Sequence, residues 1–216
     1  MFSLPKNKNL AFGENLERFA YSKKPKNLEQ FNIVIVGTGG QGQITLLQIL
    51  AEAAIIERYD VKTSELHGLS QRGGSVEVHI RFGKKIYSPM VAQGKADLIL
   101  GLEMQEALKG SYYANPKTNF LINQFIQLIP LAKNLTEKEI SENLKKFSKN
   151  INIVPADKIC QEKLGNSVVS GVYLISLASF KKLIPLKPNS ILEAIKKVIP
   201  EKYLELNLKT FNLAKS

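Results

Sequence analysis

The run FNIVIVGTGGQGQITLLQILAEAAIIER, residues 31–58, leaves this chain few folds to choose from. Ile33 through Val36 form an unbroken β-branched stretch, the pattern of a strand buried on both faces. The segment Gly37-Thr-Gly39-Gly40-Gln41-Gly42 then breaks it. A helix-length stretch follows whose only polar residues up to Ile56 are Gln43, Thr45, Gln48 and Glu52. Thr45, Gln48 and Glu52 trace one narrow stripe, so the rest of that helix is expected to be buried. A strand, a glycine turn and a buried helix in this order open an α/β sheet.

The remainder of the chain fits the same architecture. DVKTSE (60–65) reads as a strand. SVEVHIRF (75–82) alternates, with Val76, Val78, Ile80 and Phe82 on one face and Ser75, Glu77, His79 and Arg81 on a wet or partner-facing one. KKIYSP is expected to pair with it as a hairpin through Gly83. Residues 96–103, 119–123 and 152–155 give further strands, and MQEALKG (104–110) a short helix. Thr136 and Glu139 have the spacing of a capping box for a helix burying Ile140, Leu144 and Phe147. Helices are expected at 171–183, from a cap at Ser190 and Glu193 to Pro200, and at 201–213. The fold expected is a three-layer, Rossmann-like α/β domain over 31–216, with a mixed, mostly parallel sheet. A polar extension, 1–30, precedes it, broken by Pro5 and Pro25 and with one helical turn near Glu14–Ala20.

The formal net charge of +11 comes from 30 basic and 19 acidic residues. Most of the basic residues are lysines in short pairs, such as Lys23-Lys24, Lys145-Lys146 and Lys181-Lys182. A nucleic-acid groove carries a localised basic stripe, so no nucleic-acid partner is expected. A solvated lysine-rich surface is the plainer reading, and attraction to an acidic protein is the other use of the charge. The single cysteine, Cys160, excludes a disulfide framework and any cysteine-ligated cluster held by this chain alone; it reads as a small core residue. Two histidines are too few for a structural zinc site, and no metal is expected. No apolar run reaches the roughly 18–20 residues that span a bilayer. The first residues carry Glu14 and Glu17 in place of a signal-peptide core. A cytoplasmic chain with no membrane partner is expected.

The glycine segment satisfies GxGxxG between a strand and a helix. Glycines there let backbone approach a phosphate, and the helix start offers unpaired N–H groups. A dinucleotide site also needs an acid at the end of the second strand. Asp60 comes too early for that role and Glu65 is late. Three readings stay open: a tight turn, a phosphate-bearing ligand, or a partner-facing loop.

The stretch SELHGLSQRGGSVEVHIRFG, residues 64–83, holds both histidines, His67 and His79, together with Arg72 and Arg81. The pair Gly73-Gly74 lets backbone lie close to a cofactor or partner. Arg72 can hold a carboxylate or phosphate bidentately, Ser70 and Gln71 offer neutral hydrogen bonds, and His67 can carry a proton near neutral pH. Glu65 can orient either Arg72 or His67. The plainer uses are an interface ion pair for Arg72 and a satisfied loop residue for His67. Glu103, after the 96–103 strand, is either a site-facing or an ordinary strand-end carboxylate.

Joined to GTGGQG and to IYSPMVAQGKADLILGLEMQEAL (86–108), this stretch resembles the gamma-type domain of 2-oxoacid:ferredoxin oxidoreductases. Within that family the likeness is to the beta subunits of indolepyruvate ferredoxin oxidoreductases, in which His-Gly precedes QRGG and Arg-Phe-Gly ends the strand. VPADKICQEKLGN (154–166) also matches, and the resemblance covers about residues 31–214. It implies the non-thiamine subunit of an enzyme that decarboxylates an aryl-2-oxo acid oxidatively, forms an acyl-CoA and passes electrons to ferredoxin. A larger alpha subunit would carry thiamine diphosphate and [4Fe–4S] clusters, and this chain would be inactive alone.

The resemblance further implies that residues 64–74 form the subunit interface near the thiamine site, with Glu65, His67, Ser70, Gln71, Arg72, Gly73 and Gly74 facing the cofactor. The loop Gly37, Gly39, Gly40, Gln41 and Gly42 would contact coenzyme A or another phosphate. No residue is assigned a catalytic step. A stand-alone NAD-dependent oxidoreductase using the glycine loop is the alternative.

Overall fold

The computed structural model describes residues 28–67, 74–128 and 134–215. The described residues form a six-stranded sheet in the order β2-β3-β1-β4-β5-β6. Its strands are β1 (Gln30–Thr38), β2 (Asp60–His67), β3 (Ser75–Gly83), β4 (Leu98–Gly101), β5 (Asn119–Asn123) and β6 (Ile151–Val154). β1, β4, β5 and β6 are parallel neighbours, and β3 lies antiparallel between β1 and β2. The expected mixed, mostly parallel three-layer sheet is therefore the observed one.

Helices α1 (Gln43–Ile56), α4 (Ala156–Leu164), α5 (Ser170–Phe180), α6 (Pro188–Val198) and α7 (Glu201–Leu213) share one core with one face of the sheet. That core contains Ile33, Ile35, Leu47, Leu50, Val78, Ile80 and Cys160, the cysteine being fully buried. Helices α2 (Met104–Gly110) and α3 (Glu137–Leu144) cover the other face through Val34, Val36, Ile99, Phe120, Met104 and Ile140. β1 is sequestered on both faces, as its β-branched run requires.

Several local expectations change. KKIYSP adds no strand: Asp60 accepts the Ile86 N–H at 2.8 Å, which buries Ile86 while Tyr87 stays 88% exposed. The 96–103 strand contracts to Leu98–Gly101. α5 stops at Phe180, where the chain turns through Lys182 with φ of 57°. α6 starts at Pro188, whose fixed φ suits the first turn; Ser190 is therefore inside the helix and buried rather than capping it. The Thr136–Glu139 capping box is present, and Ile140 and Leu144 are buried. Phe147 lies past the helix end and is 40% exposed. The helical turn expected near residues 14–20 lies outside the described residues.

The expected wet face of β3 is only partly wet: Ser75 is exposed and Glu77 and Arg81 are half-buried. His79 is fully buried; its Nδ1 accepts the Val91 N–H at 3.0 Å, so Nε2 donates to Glu77 at 2.7 Å. Tyr113 donates its hydroxyl to the same Glu77 oxygen at 2.6 Å and meets the imidazole edge-on at 5.0 Å. Arg81 is bonded to Asn32, Gln30 and the carbonyls of Ser88 and Met90. Alternation correctly gives which side chains share a face, but this face closes on itself because every polar group on it finds a protein partner.

Candidate functional site

The carboxyl ends of the parallel strands meet at the glycine loop, where α/β sheets open a crevice. Gly37 is the penultimate residue of β1, and a β-carbon there would lie 2.6 Å from Gln41 Oε1 and 2.7 Å from Gln43 Nε2. The two amides fold over the glycine: Gln41 accepts the Thr38 N–H at 2.8 Å, and Gln43 donates to the Thr38 carbonyl at 2.9 Å. Gly40 and Gly42 have φ of 102° and 83°, the left-handed region that only glycine enters without strain. A β-carbon on either would meet nothing within 4 Å, so the outer face of the loop is open.

The loop is braced from three directions. Gly39 donates to the Gly74 carbonyl at 2.8 Å, tying the start of β3 to the turn. Thr38 donates its hydroxyl to Gln127 Oε1 at 2.7 Å. Gln41 Nε2 reaches the Leu102 carbonyl at 3.4 Å. Thr38, Gly39 and Gln41 therefore spend their N–H groups inside the protein. What the loop offers a ligand is the start of α1, whose first N–H groups have no helical partner. The donors there suit one phosphate or carboxylate oxygen better than a wrapped pyrophosphate.

Beside the loop lies a carboxylate pair that motif reading left largely unused. Glu103 is 1% exposed and caps α2 by accepting the Glu106 N–H at 2.7 Å and the Gln127 N–H at 3.1 Å. Glu106 is also buried, bonded to the Ser75 hydroxyl and to Lys109 at 2.6 Å. The E-x-x-E spacing of 103 and 106 was the available signal for the cap. Nothing in the sequence marked Gln127, which the fold brings in from beyond β5. Glu103 thus joins the glycine loop to α2 through Gln127 and serves as a strand-end cap.

Of the residues singled out in the sequence, Gly37, Gly39, Gly40, Gln41, Gly42 and Gly74 come together here. Glu65 sits near the end of β2 and is exposed. Because β3 intervenes between β1 and β2, Glu65 is two strands from the loop and cannot take the ribose position of a dinucleotide fold, where the second strand adjoins the first. His67 is the last residue of β2. Ser70, Gln71, Arg72 and Gly73 lie outside the described residues, but the flanking His67 and Gly74 place both ends of their segment at this edge of the sheet.

Electrostatics separate the polar clusters from metal or thiolate chemistry. Burial and the neighbouring Asp157 push the Cys160 thiol up to about 11, so it stays protonated. Among the described residues no group of His, Cys, Asp and Glu is arranged to hold a metal ion. A cysteine-ligated cluster therefore does not fit this chain. Burial pushes the Glu77 carboxyl up, yet the bonds from His79 and Tyr113 outweigh it and leave the group below its ordinary range. Burial first, then Glu77, pushes the Tyr113 hydroxyl well up. No helix among the described residues is long and apolar enough to cross a membrane.

Comparison with known proteins agrees with the geometry. The family described as pyruvate ferredoxin/flavodoxin oxidoreductase matches residues 32–216. The chain is 35% identical over 192 residues to indolepyruvate oxidoreductase subunit IorB of Thermococcus kodakarensis, covering 86% of this chain and 95% of that one. The subunit of the same name from Archaeoglobus fulgidus is 34% identical over 189 residues, 85% of this chain and 93% of the relative. In structure the chain resembles pyruvate oxidoreductase subunit PORC from Thermotoga maritima, with a TM-score of 0.64, 18% identity, and coverage of 87% and 96% of the two chains. The gamma subunit of a keto/oxoacid ferredoxin oxidoreductase from Geobacter sulfurreducens aligns with a TM-score of 0.61 and 20% identity over 86% and 96% of the two chains. The chain belongs to the pyruvate ferredoxin/flavodoxin oxidoreductase family and corresponds, over most of its length, to a single gamma-type subunit of a 2-oxoacid ferredoxin oxidoreductase.

Proposed function

We propose that this chain is the non-thiamine subunit of an indolepyruvate-type ferredoxin oxidoreductase and works in a cytoplasmic complex with a larger subunit that carries thiamine diphosphate and [4Fe–4S] clusters. The overall conversion takes a 2-oxo acid anion and coenzyme A to an acyl-CoA, carbon dioxide, one proton and two electrons, which leave through ferredoxin. The observation that carries this reading is the near-complete coverage of the archaeal IorB subunits at 34–35% identity. The chemistry of the chain supports the same division of labour: its lone thiol is buried and protonated. A cysteine-ligated cluster would therefore be held by the partner.

In this reading the domain 31–216 presents its carboxyl edge to the larger subunit. Its own contributions are positional. The start of α1, opened by Gly40 and Gly42, would hold a phosphate oxygen of coenzyme A. Segment 64–74, with Glu65, His67, Ser70, Gln71, Arg72, Gly73 and Gly74, would lie against the thiamine site and help exclude water there. Arg72 would supply the bidentate contact that lysine cannot. The stand-alone nicotinamide enzyme is disfavoured because the strand order puts Glu65 two strands from β1, and Glu103, after the neighbouring β4, is buried with its carboxylate taken by the Glu106 and Gln127 N–H groups.

The test is turnover by the purified complex, followed as viologen reduction. Indolepyruvate with coenzyme A is expected to support the highest kcat/KM, above pyruvate and 2-oxoisovalerate, and Arg72→Ala to lower it about 100-fold. A complex that reduces viologen with pyruvate and not with indolepyruvate would contradict the substrate assignment.

A further inference from the structure

Three of the lysine pairs that look scattered along the chain, Lys84-Lys85, Lys145-Lys146 and Lys181-Lys182, are gathered by the fold onto one edge. The amino ends of β1, β4, β5 and β6, the start of β2 and the end of β3 all open on the side opposite the glycine loop. Arg58 follows α1 there, Lys84 and Lys85 follow β3, and Lys117 and Lys149 precede β5 and β6; all are exposed. Lys145 and Lys146 close α3 on the same side. Lys181 and Lys182 follow α5, beside a recess that also contains Phe31 at the start of β1. A second recess, lined by Asn32, Asp97, Lys95 and Lys117, lies between them.

Little counter-charge stands against these cations. The carboxylates of this edge are Glu29, Glu57, Asp60, Asp97 and Glu142, the last in the final turn of α3; Glu57 is buried and accepts the Lys187 N–H, and Asp97 is half-buried and accepts the Asn32 N–H. Lys84 and Lys85 approach Glu29 and Asp60 only at 3.8 and 4.0 Å. Among the described residues no carboxylate lies within ion-pair distance of Lys95, Lys117, Lys149, Lys181 or Lys182. The opposite edge is more balanced, carrying Glu65, Glu137, Glu139, Asp157 and Glu201 beside Lys138, Lys158 and Lys202. The molecule is therefore polarised along its strands.

We infer that the amino edge of the sheet is a docking surface for the carboxylate-rich face of an acidic protein. Concentrated charge of one sign steers an oppositely charged partner and raises its association rate. The composition of the edge favours carboxylates over nucleic-acid phosphates. Its free cations are lysines apart from Arg58, whereas bidentate phosphate recognition uses arginine, and four of the five N–H donors of Arg81 are already bonded to protein acceptors. The inference does not depend on what occupies the opposite, glycine-loop edge.

The test uses the full chain and fluorescently labelled poly-glutamate, with binding read as anisotropy at low salt. The edge variant K145E/K146E/K149E is compared with K138E/K158E/K202E, which changes the net charge equally at the starts of α3, α4 and α7. The edge variant is expected to bind at least about tenfold more weakly, and the control to stay within about twofold of the parent. A second edge set, K95E/K117E/K181E, drawn from other elements, is expected to repeat the loss and stands in if the first does not fold. Equal loss in edge and control variants would overturn the inference, since net charge alone would then account for binding. So would absence of binding to poly-glutamate, or tighter binding of a DNA duplex of matched charge.

Discussion

Gly37 is held to glycine by its neighbours, because the amide ends of Gln41 and Gln43 fill the space a side chain would need. Gly37→Ala would displace two hydrogen-bonded amides, that of Gln43 buried, and is expected to cost about 1–3 kcal/mol in denaturant unfolding. If Gln41 is the obstacle, Gly37→Ala combined with Gln41→Ala costs less than the sum of the two single changes; strict additivity would contradict the arrangement. The carboxylate of Glu77 gives a second test. Its folded-state pKa lies below the ordinary value, so its stabilisation is complete above the normal carboxylate range and is lost as pH falls through the lowered value. Glu77→Gln is expected to be less stable than the parent by about 1 kcal/mol at neutral pH. The two should converge on acidification below the ordinary carboxylate range, and a gap independent of pH would exclude the ionic part of the His79–Glu77–Tyr113 cluster. At this scale the sequence was informative only in part. The glycines were legible because their neighbours, β1 and α1, have unmistakable patterns. The burial of His79 was not, because the Val91 N–H and the Tyr113 ring that cover it come from segments with no periodic signal.

Most elements could be read because their determinants are local. The capping box at Thr136 and Glu139 forms as its spacing requires, with the Glu139 N–H donating to the Thr136 hydroxyl at 3.2 Å. Thr136→Ala is expected to destabilise the protein by about 1 kcal/mol and to speed amide hydrogen exchange in α3 more than in α1. Uniform acceleration across both helices would indicate that α3 does not open independently. Ser190 and Glu193 have the same spacing and fail as a cap, because Pro188 starts the helix two residues earlier. The false hairpin at KKIYSP has a comparable cause: Asp60, distant in sequence, captures the Ile86 N–H that a ladder would have used. Strand order is the feature least available locally. Only the assembled sheet shows β3 inserted between β1 and β2, and that insertion removes Glu65 from the position a dinucleotide fold would give it.

At the scale of the whole molecule the fold separates two edges. The carboxyl edge collects the open glycine loop, the Glu103 cap, His67 and Gly74, whereas the amino edge collects Lys84, Lys85, Lys95, Lys117, Lys149, Lys181 and Lys182. Sequence spacing cannot show this separation, since Lys84, Lys117, Lys149 and Lys181 are far apart in the chain and meet only through the alignment of strand ends. The family and the subunit type were legible because QRGG and GTGGQG stand in a specific order. The dependence of this chain on a larger, cofactor-bearing partner is the central claim. It is tested most directly by anaerobic affinity purification of the tagged chain from its own cells, with the visible spectrum and chain composition recorded. A brown complex containing a larger second chain with bound thiamine diphosphate is expected. A colourless single chain that binds a nicotinamide cofactor tightly would contradict it.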